Sequence, residues 1–242
     1  MNTEVLRAEG NAGGNEPTPV GWTPWEVAWV FVMWLAATAL IAVVIGGRPR
    51  NSFQSALLLV APPVVLCVAT LLGVGIRGRS AIRRLMGRRS PSVRDVGAGL
   101  IYGFVGALVL TFGVGFLLRA LLESFQLRIP PVQQDLRQLT AGSAAPLVIF
   151  VIVAVAPVAE ELFFRGMFFQ AFERRLGVWG SAVLSAAVFG AVHVEWFVLV
   201  MTFLFGIYLA LIFRRRGTIV TPIVAHMLFN GLGVVLIRAG VG

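Results

Sequence analysis

Apolar residues in this chain do not alternate with polar ones. They come in long runs, cut by short stretches rich in arginine, proline or glycine. Seven runs, residues 25–45, 54–76, 96–118, 146–169, 178–194, 196–213 and 218–237, are long enough, or nearly so, to cross ~30 Å of hydrocarbon at ~20 residues each. Backbone polar groups in lipid must find partners within the chain, so such runs form helices. The pattern predicts an all-α fold, a polytopic membrane bundle of about seven transmembrane helices. The fifth and sixth runs are short and little more than Glu195 separates them, so they form a tight hairpin, or one is tilted or partly re-entrant. Residues 1–24 read as a flexible N-terminal tail, polar and rich in Gly and Pro at first, without the apolar stretch of a signal peptide. Residues 25–145 hold the first three helices and their connections, and residues 146–242 hold the last four.

Composition agrees. Hydrophobic residues make up 58% of the 242, charged residues only 13%, and the mean hydropathy is +0.88. A soluble domain is nearer a quarter charged, so the solvent of this chain is lipid. Cys67 is the single cysteine, which excludes an intrachain disulfide and a cysteine zinc cluster; it reads as a small core residue. The net charge is +9 and every basic residue is arginine. These arginines cluster at the ends of apolar runs and not on a soluble basic face, so nucleic acid is not expected as a partner and membrane lipid is. Arg77, Arg79, Arg83, Arg84, Arg88, Arg89 and Arg94 precede or follow one connection, Arg174 and Arg175 another, and Arg214, Arg215 and Arg216 a third. All lie on the side of Arg7. The richer side is the cytoplasmic one, which predicts a multi-pass protein of the cell membrane with its N-terminus in the cytoplasm.

A few ionisable side chains lie inside the runs: Glu160, Glu161, Arg165, His193 and His226, with Asn230 nearby. Intramembrane ionisable groups are functional-site candidates by default. A carboxylate and two imidazoles can bind a metal or activate a water. Runs four and five form a hairpin whose turn centres between Leu176 and Gly177. Glu160 and His193 are equally far from that centre, so antiparallel helices of equal rise bring them to one depth. His226 and Asn230 reach the same layer from the seventh run if that helix tilts. Glu161 and Arg165 are four apart and pair along one face, which leaves Glu160 without a local cation, as suits a general base. Phe189 shares a face with His193, and His226 with Asn230. Pro157 leaves the carbonyl of Val153 without its helical donor and kinks the fourth helix; Pro222 does the same near the start of the seventh. Gly99 and Gly103 form a small-residue packing face. Glu195, at the short turn, is expected to be solvated.

Three of these segments resemble the motifs of the CPBP intramembrane proteases, the family that includes type II CAAX prenyl endopeptidases and Abi-like bacteriocin-processing or self-immunity proteins. Glu160-Glu161-Leu-Phe-Phe-Arg165 is similar to EExxxR, Phe189-Gly-Ala-Val-His193 to FxxxH, and His226-Met-Leu-Phe-Asn230 to HxxxN. The resemblance covers residues 146–237. It implies an intramembrane endopeptidase in which Glu160 activates the attacking water with His193 as its partner. His226 and Asn230 would stabilise the tetrahedral oxyanion or complete the water site. Glu161 and Arg165 would hold their helix in place, and Phe189 would pack beside the site.

Members of this family are named as metalloproteases. Glu160, His193 and His226 can form a His₂Glu zinc site with an open position; the same groups can run a metal-free Glu/His mechanism. A non-catalytic immunity or scaffold protein, binding peptide or lipid at the same polar layer, is the alternative function. The short loops suggest a bacterial protein, whose substrate is then a peptide or membrane protein and not a prenylated one. The connection 119–145, with Ile129-Pro130-Pro131, is expected to be a plain extracytoplasmic loop; capping of the site is the other reading.

Overall fold

The computed structural model describes residues 21–45, 52–126, 132–193 and 195–240. The described residues are helical and contain no strand beyond an isolated bridge between Gly87 and Thr218. Helix α1 is Pro24–Ile45 and α2 is Ser52–Gly75. A short helix, α3, covers Arg79–Leu85. Helix α4 runs through Val93–Ser124, 32 residues, and widens into π geometry over Ala107–Gly115. Helix α5 is Val132–Ala141. The stretch Ala145–Ala191 is continuous helix for 47 residues except at Gly177, which has φ 67° and ψ −177°. Its arms are α6 (145–176) and α7 (178–191). Helix α8 is Trp196–Arg216 and α9 is Val220–Ala239.

Among the described residues, six helical stretches are long and apolar enough to cross a membrane. One of them folds back at Gly177, so the bundle presents the seven segments read from the sequence. The fold-back is visible in contacts: the rings of Phe164 and Phe189 meet edge to face at 5.0 Å, and Ser185 Oγ donates to the Phe164 carbonyl at 3.2 Å. Gly177 supplies the positive φ that an L side chain rarely adopts. Helix α7 rises only ~20 Å at ~1.5 Å per residue, so the α7–α8 turn lies well inside the span of the longer helices.

Phe163, Phe164, Phe169 and Phe189 are fully buried, whereas α1, α2 and α4 expose Trp29, Leu40, Val43, Leu72, Ile101 and Phe112. Large exposed apolar residues all round the outside are what a lipid solvent permits. Helices α4 and α9 approach closely at the small-residue face. A Cβ at Gly99 would lie 2.6 Å from Val224 Cβ, and one at Gly103 would lie 2.7 Å from the Ala225 carbonyl oxygen.

One end of the bundle gathers the arginine-rich connections. Backbone N–H groups of Arg88 and Arg89 donate to the Gly217 carbonyl, at 2.9 and 3.1 Å. Asp95, fully buried, takes Arg89, Arg216 at 2.9 Å and Thr221, and is also the N3 residue of the capping box that starts α4 at Ser92. Arg214 pairs with Glu173 beside the α6–α7 turn, and Arg77 pairs with Glu26 at the start of α1, at 2.6 Å. The start of α1 and the three arginine-rich connections therefore share one face.

Two expectations change here. Pro222 does not kink its helix: it falls in the first turn of α9, where a missing N–H is no loss. The connection after α4 is not a plain loop, because α5 occupies its later part and sends Leu136 and Leu139 to the central cavity. Ile129, Pro130 and Pro131 lie outside the described residues, as does most of the N-terminal tail.

Candidate active site

Helix α6 carries two acids between two π segments, Val151–Val155 and Phe164–Phe169. The adjacent glutamates point differently: the Glu161 side chain is fully buried, while that of Glu160 is 20% exposed and lines a cavity. Glu161 Oε1 accepts from Arg165 Nη1 at 2.7 Å and from His226 Nδ1 at 2.9 Å. Arg165 is itself buried and donates from Nη2 to the Gly206 carbonyl of α8 at 2.9 Å. Its guanidinium stacks on Phe189, Cζ 5.1 Å from the ring centroid. The expected Arg165–Glu161 pair is thus present, and it has a second partner in His226 that spacing along the chain did not reveal.

His226 is clamped from both sides by aromatic edges, with Phe205 at 5.1 Å and Phe189 at 6.0 Å. A carboxylate held by a guanidinium only accepts, so Nδ1 of His226 donates to it and Nε2 is the nitrogen left for other partners. That Nε2 lies 3.7 Å from Glu160 Oε2.

His193 was expected on a helix. It lies in the turn just past the end of α7, where its N–H closes on the Gly190 carbonyl at 3.0 Å. Its ring still stands over Phe189, centroids 5.1 Å apart, and Nδ1 donates to the Phe189 carbonyl at 2.8 Å. A carbonyl only accepts, so this imidazole too presents Nε2 as its free nitrogen.

Asn230 donates from Nδ2 to the carbonyl of Ile152 at 2.9 Å. Sequence spacing pointed instead to Val153 as the carbonyl orphaned by Pro157. The difference follows from the helix register. A π turn joins a carbonyl to the N–H five residues on, and five residues after Ile152 is Pro157, which has none. The π segment moves the orphan back by one residue, and an amide from α9 satisfies it.

Glu160, Phe189, His193, His226 and Asn230 line one cavity of about 570 Å³. Leu59 and Pro63 of α2, Leu136 and Leu139 of α5, and Thr202 and Phe205 of α8 complete much of its wall. Glu195 also lines it; the residue as a whole is half-buried, and its Oε2 is closed to solvent without a hydrogen-bond partner among the described residues, where a fully solvated residue was expected. The tightness of the α7–α8 turn explains this, since it draws the residue inward beside His193.

The two imidazoles suit a metal in one respect, because each donates Nδ1–H to an acceptor and leaves Nε2 free. Among the described residues no group of three or more His, Cys, Asp or Glu side chains is gathered to hold a metal ion.

Comparison with known proteins places this arrangement. Residues 142–232 match the model of the Rce1-like type II CAAX prenyl endopeptidase family. All three motif segments fall inside that stretch, and the resemblance read from them is to the same family. A Bacillus subtilis (strain 168) protein named "Putative membrane peptidase YdiL" is 25% identical over 143 residues, which is 59% of this chain and 58% of the relative. An Escherichia coli protein named "Uncharacterized 24.3 kDa protein" is 28% identical over 149 residues, 58% of this chain and 64% of the relative. The chain thus matches less than two thirds of the length of either. No solved structure matches it. The family segment supplies the acids, the imidazoles and the amide, while α2 and α5, which close the cavity with Leu59, Pro63, Leu136 and Leu139, lie outside it.

Proposed function

We propose that this protein is an intramembrane endopeptidase in which Glu160 activates a water for attack on a peptide carbonyl. The observation that carries this reading is Glu160 on the cavity wall, facing His226 Nε2 at 3.7 Å while the neighbouring Glu161 takes Arg165. A polar gap of that length suits a bridging water. Glu160 removes one proton as the water oxygen bonds to the carbonyl carbon, and the carbonyl electron pair moves onto its oxygen. The remaining N–H of Asn230 is the donor available to that oxyanion, and His226 Nε2 positions the water beside Glu160. When the C–N bond breaks, the proton held by Glu160 goes to the leaving nitrogen. Glu161 acts through His226, fixing its orientation and tautomer.

The substrate is a peptide or a segment of a membrane protein, and the protein works in the cell membrane of a bacterium with its N-terminus in the cytoplasm. No metal ion is needed for these steps. The test is a peptidase assay on detergent-purified protein, wild type against Glu160→Gln, with and without a chelator. Loss of a general base predicts a fall of about 10²–10⁴-fold in turnover, with chelator without effect. Chelator-sensitive turnover restored by zinc would instead assign Glu160, His193 and His226 as ligands. Peptide binding with no cleavage by the wild type would favour the immunity or scaffold reading.

A further inference from the structure

The chain carries a net charge of +9, yet among the described residues its cavity is lined by two glutamates and two histidines and by no arginine. Arg165 is withdrawn behind the Phe189 ring and bonded to Glu161 and the Gly206 carbonyl. Glu160 faces His226. That leaves Glu195, which the hydrolytic steps above do not use.

Glu195 occupies the N-cap position of α8, where an acidic side chain ordinarily accepts from the N–H groups of the first turn. It makes no such bond. Its backbone is held firmly, with its N–H on the His193 carbonyl at 2.5 Å and its carbonyl taking the Leu199 N–H at 2.7 Å. The side chain of this half-buried residue borders the cavity instead, and Oε2, shut off from solvent, accepts from nothing among the described residues. An enclosed carboxylate oxygen without a donor is costly, and the group that relieves the cost is a cation entering the cavity.

We infer that Glu195 is a specificity-determining residue that receives a cationic group of the substrate, a guanidinium or an ammonium, close to the bond that is cut. This rests on the peptidase reading of the cavity. A basic side chain and a free amino terminus present the same chemistry to Glu195. An apolar substrate residue offers it no charge-assisted hydrogen bond, and an acidic one is repelled by both carboxylates.

The test uses the purified chain of 242 residues and peptides that differ only at the residue flanking the scissile bond, arginine, norleucine or glutamate, each with a free or an acetylated amino terminus. The ratio of kcat/KM between peptides is read within each variant, so it does not depend on overall activity. The wild type is expected to favour the arginine peptide over norleucine by about tenfold or more. Glu195→Gln should collapse that ratio, Glu195→Asp should keep most of it, and Glu195→Arg should favour the glutamate peptide. Selectivity that depends only on acetylation would assign the amino terminus as the cation. An unchanged ratio in Glu195→Gln, or a uniform fall in kcat over all peptides, would overturn the inference. If the wild type cleaves none of the peptides, the peptidase reading fails separately. Thermal stabilisation of Glu160→Gln by the arginine peptide, absent in Glu160→Gln/Glu195→Gln, would then still support cation recognition. Equal stabilisation by arginine and norleucine peptides would sink it.

Discussion

His226 donates from Nδ1 to Glu161 Oε1 at 2.9 Å, a bond that joins α9 to α6 across 65 positions of sequence. The same oxygen holds Arg165 at 2.7 Å. Glu161 is therefore the hinge of a buried chain, guanidinium to carboxylate to imidazole, whose far end presents Nε2 toward Glu160. Glu160 and Glu161 are neighbours in different surroundings, one facing a cavity and the other a cation.

Replacing Glu161 by Gln should cost both stability and activity. It leaves Arg165 as a buried cation without its carboxylate, a loss of about 3–5 kcal/mol, and removes the acceptor that fixes the His226 tautomer. Arg165→Ala should behave similarly. Glu160→Gln should melt close to the wild type and turn over about 10²–10⁴-fold more slowly. Thermal unfolding in detergent beside the peptidase assay checks the contrast; a stable, inactive Glu161→Gln with an unfolded Glu160→Gln would mean the two duties are reversed.

Asn230→Leu should destabilise the protein by about 1–3 kcal/mol, the cost of leaving the Ile152 carbonyl without a donor in a poorly solvated place. In a Pro157→Ala background the restored N–H offers that carbonyl a partner within its own helix. The penalty of Asn230→Leu should therefore shrink there. A double-mutant cycle on thermal stability measures it, and strict additivity would contradict the π-register account.

Gly103→Leu should disable the site from a distance. Its first side-chain atom would overlap the Ala225 backbone, one residue before His226, so α9 must move outward and carry His226 and Asn230 with it. Overpacking of this kind costs about 1–3 kcal/mol or more. The expected result is a membrane-inserted protein with lower thermal stability and little turnover, measured by fractionation and assay. Wild-type activity in Gly103→Leu would show that the α4–α9 contact does not position the site.

Membrane sidedness is open to direct labelling. In a Cys67→Ala background, a cysteine at Ser90 should react with an impermeant reagent only after the cells are opened. A cysteine at Gln126, beyond the far end of α4, should react in intact cells. The reverse pattern would place the arginine-rich face outside.

Much of this architecture was legible in the chain. Hydropathy is a local property, so the runs located every long helix. Length and symmetry put the α6–α7 turn beside Gly177, and four-residue spacing found the Glu161–Arg165 pair. The three motifs named the residues that the cavity collects. What they did not disclose is how the helices are rotated about their axes. In water an apolar stripe marks the inward face; in lipid both faces of a helix are apolar, so periodicity loses that information.

Tertiary structure alone decided which groups meet. The bond from Glu161 to His226, the amide of Asn230 on Ile152, the buried Asp95 holding Arg89 and Arg216, and the leucines of α5 over the cavity all join residues far apart in sequence. Each depends on helix rotation, crossing and register, including the single-residue shift of the π segment before Pro157. Glu195 shows the distinction most plainly. The sequence by itself determines that an acid stands between two apolar runs, where solvent is the simplest expectation. Only the short α7 helix and the start of α8 bring that acid to the cavity.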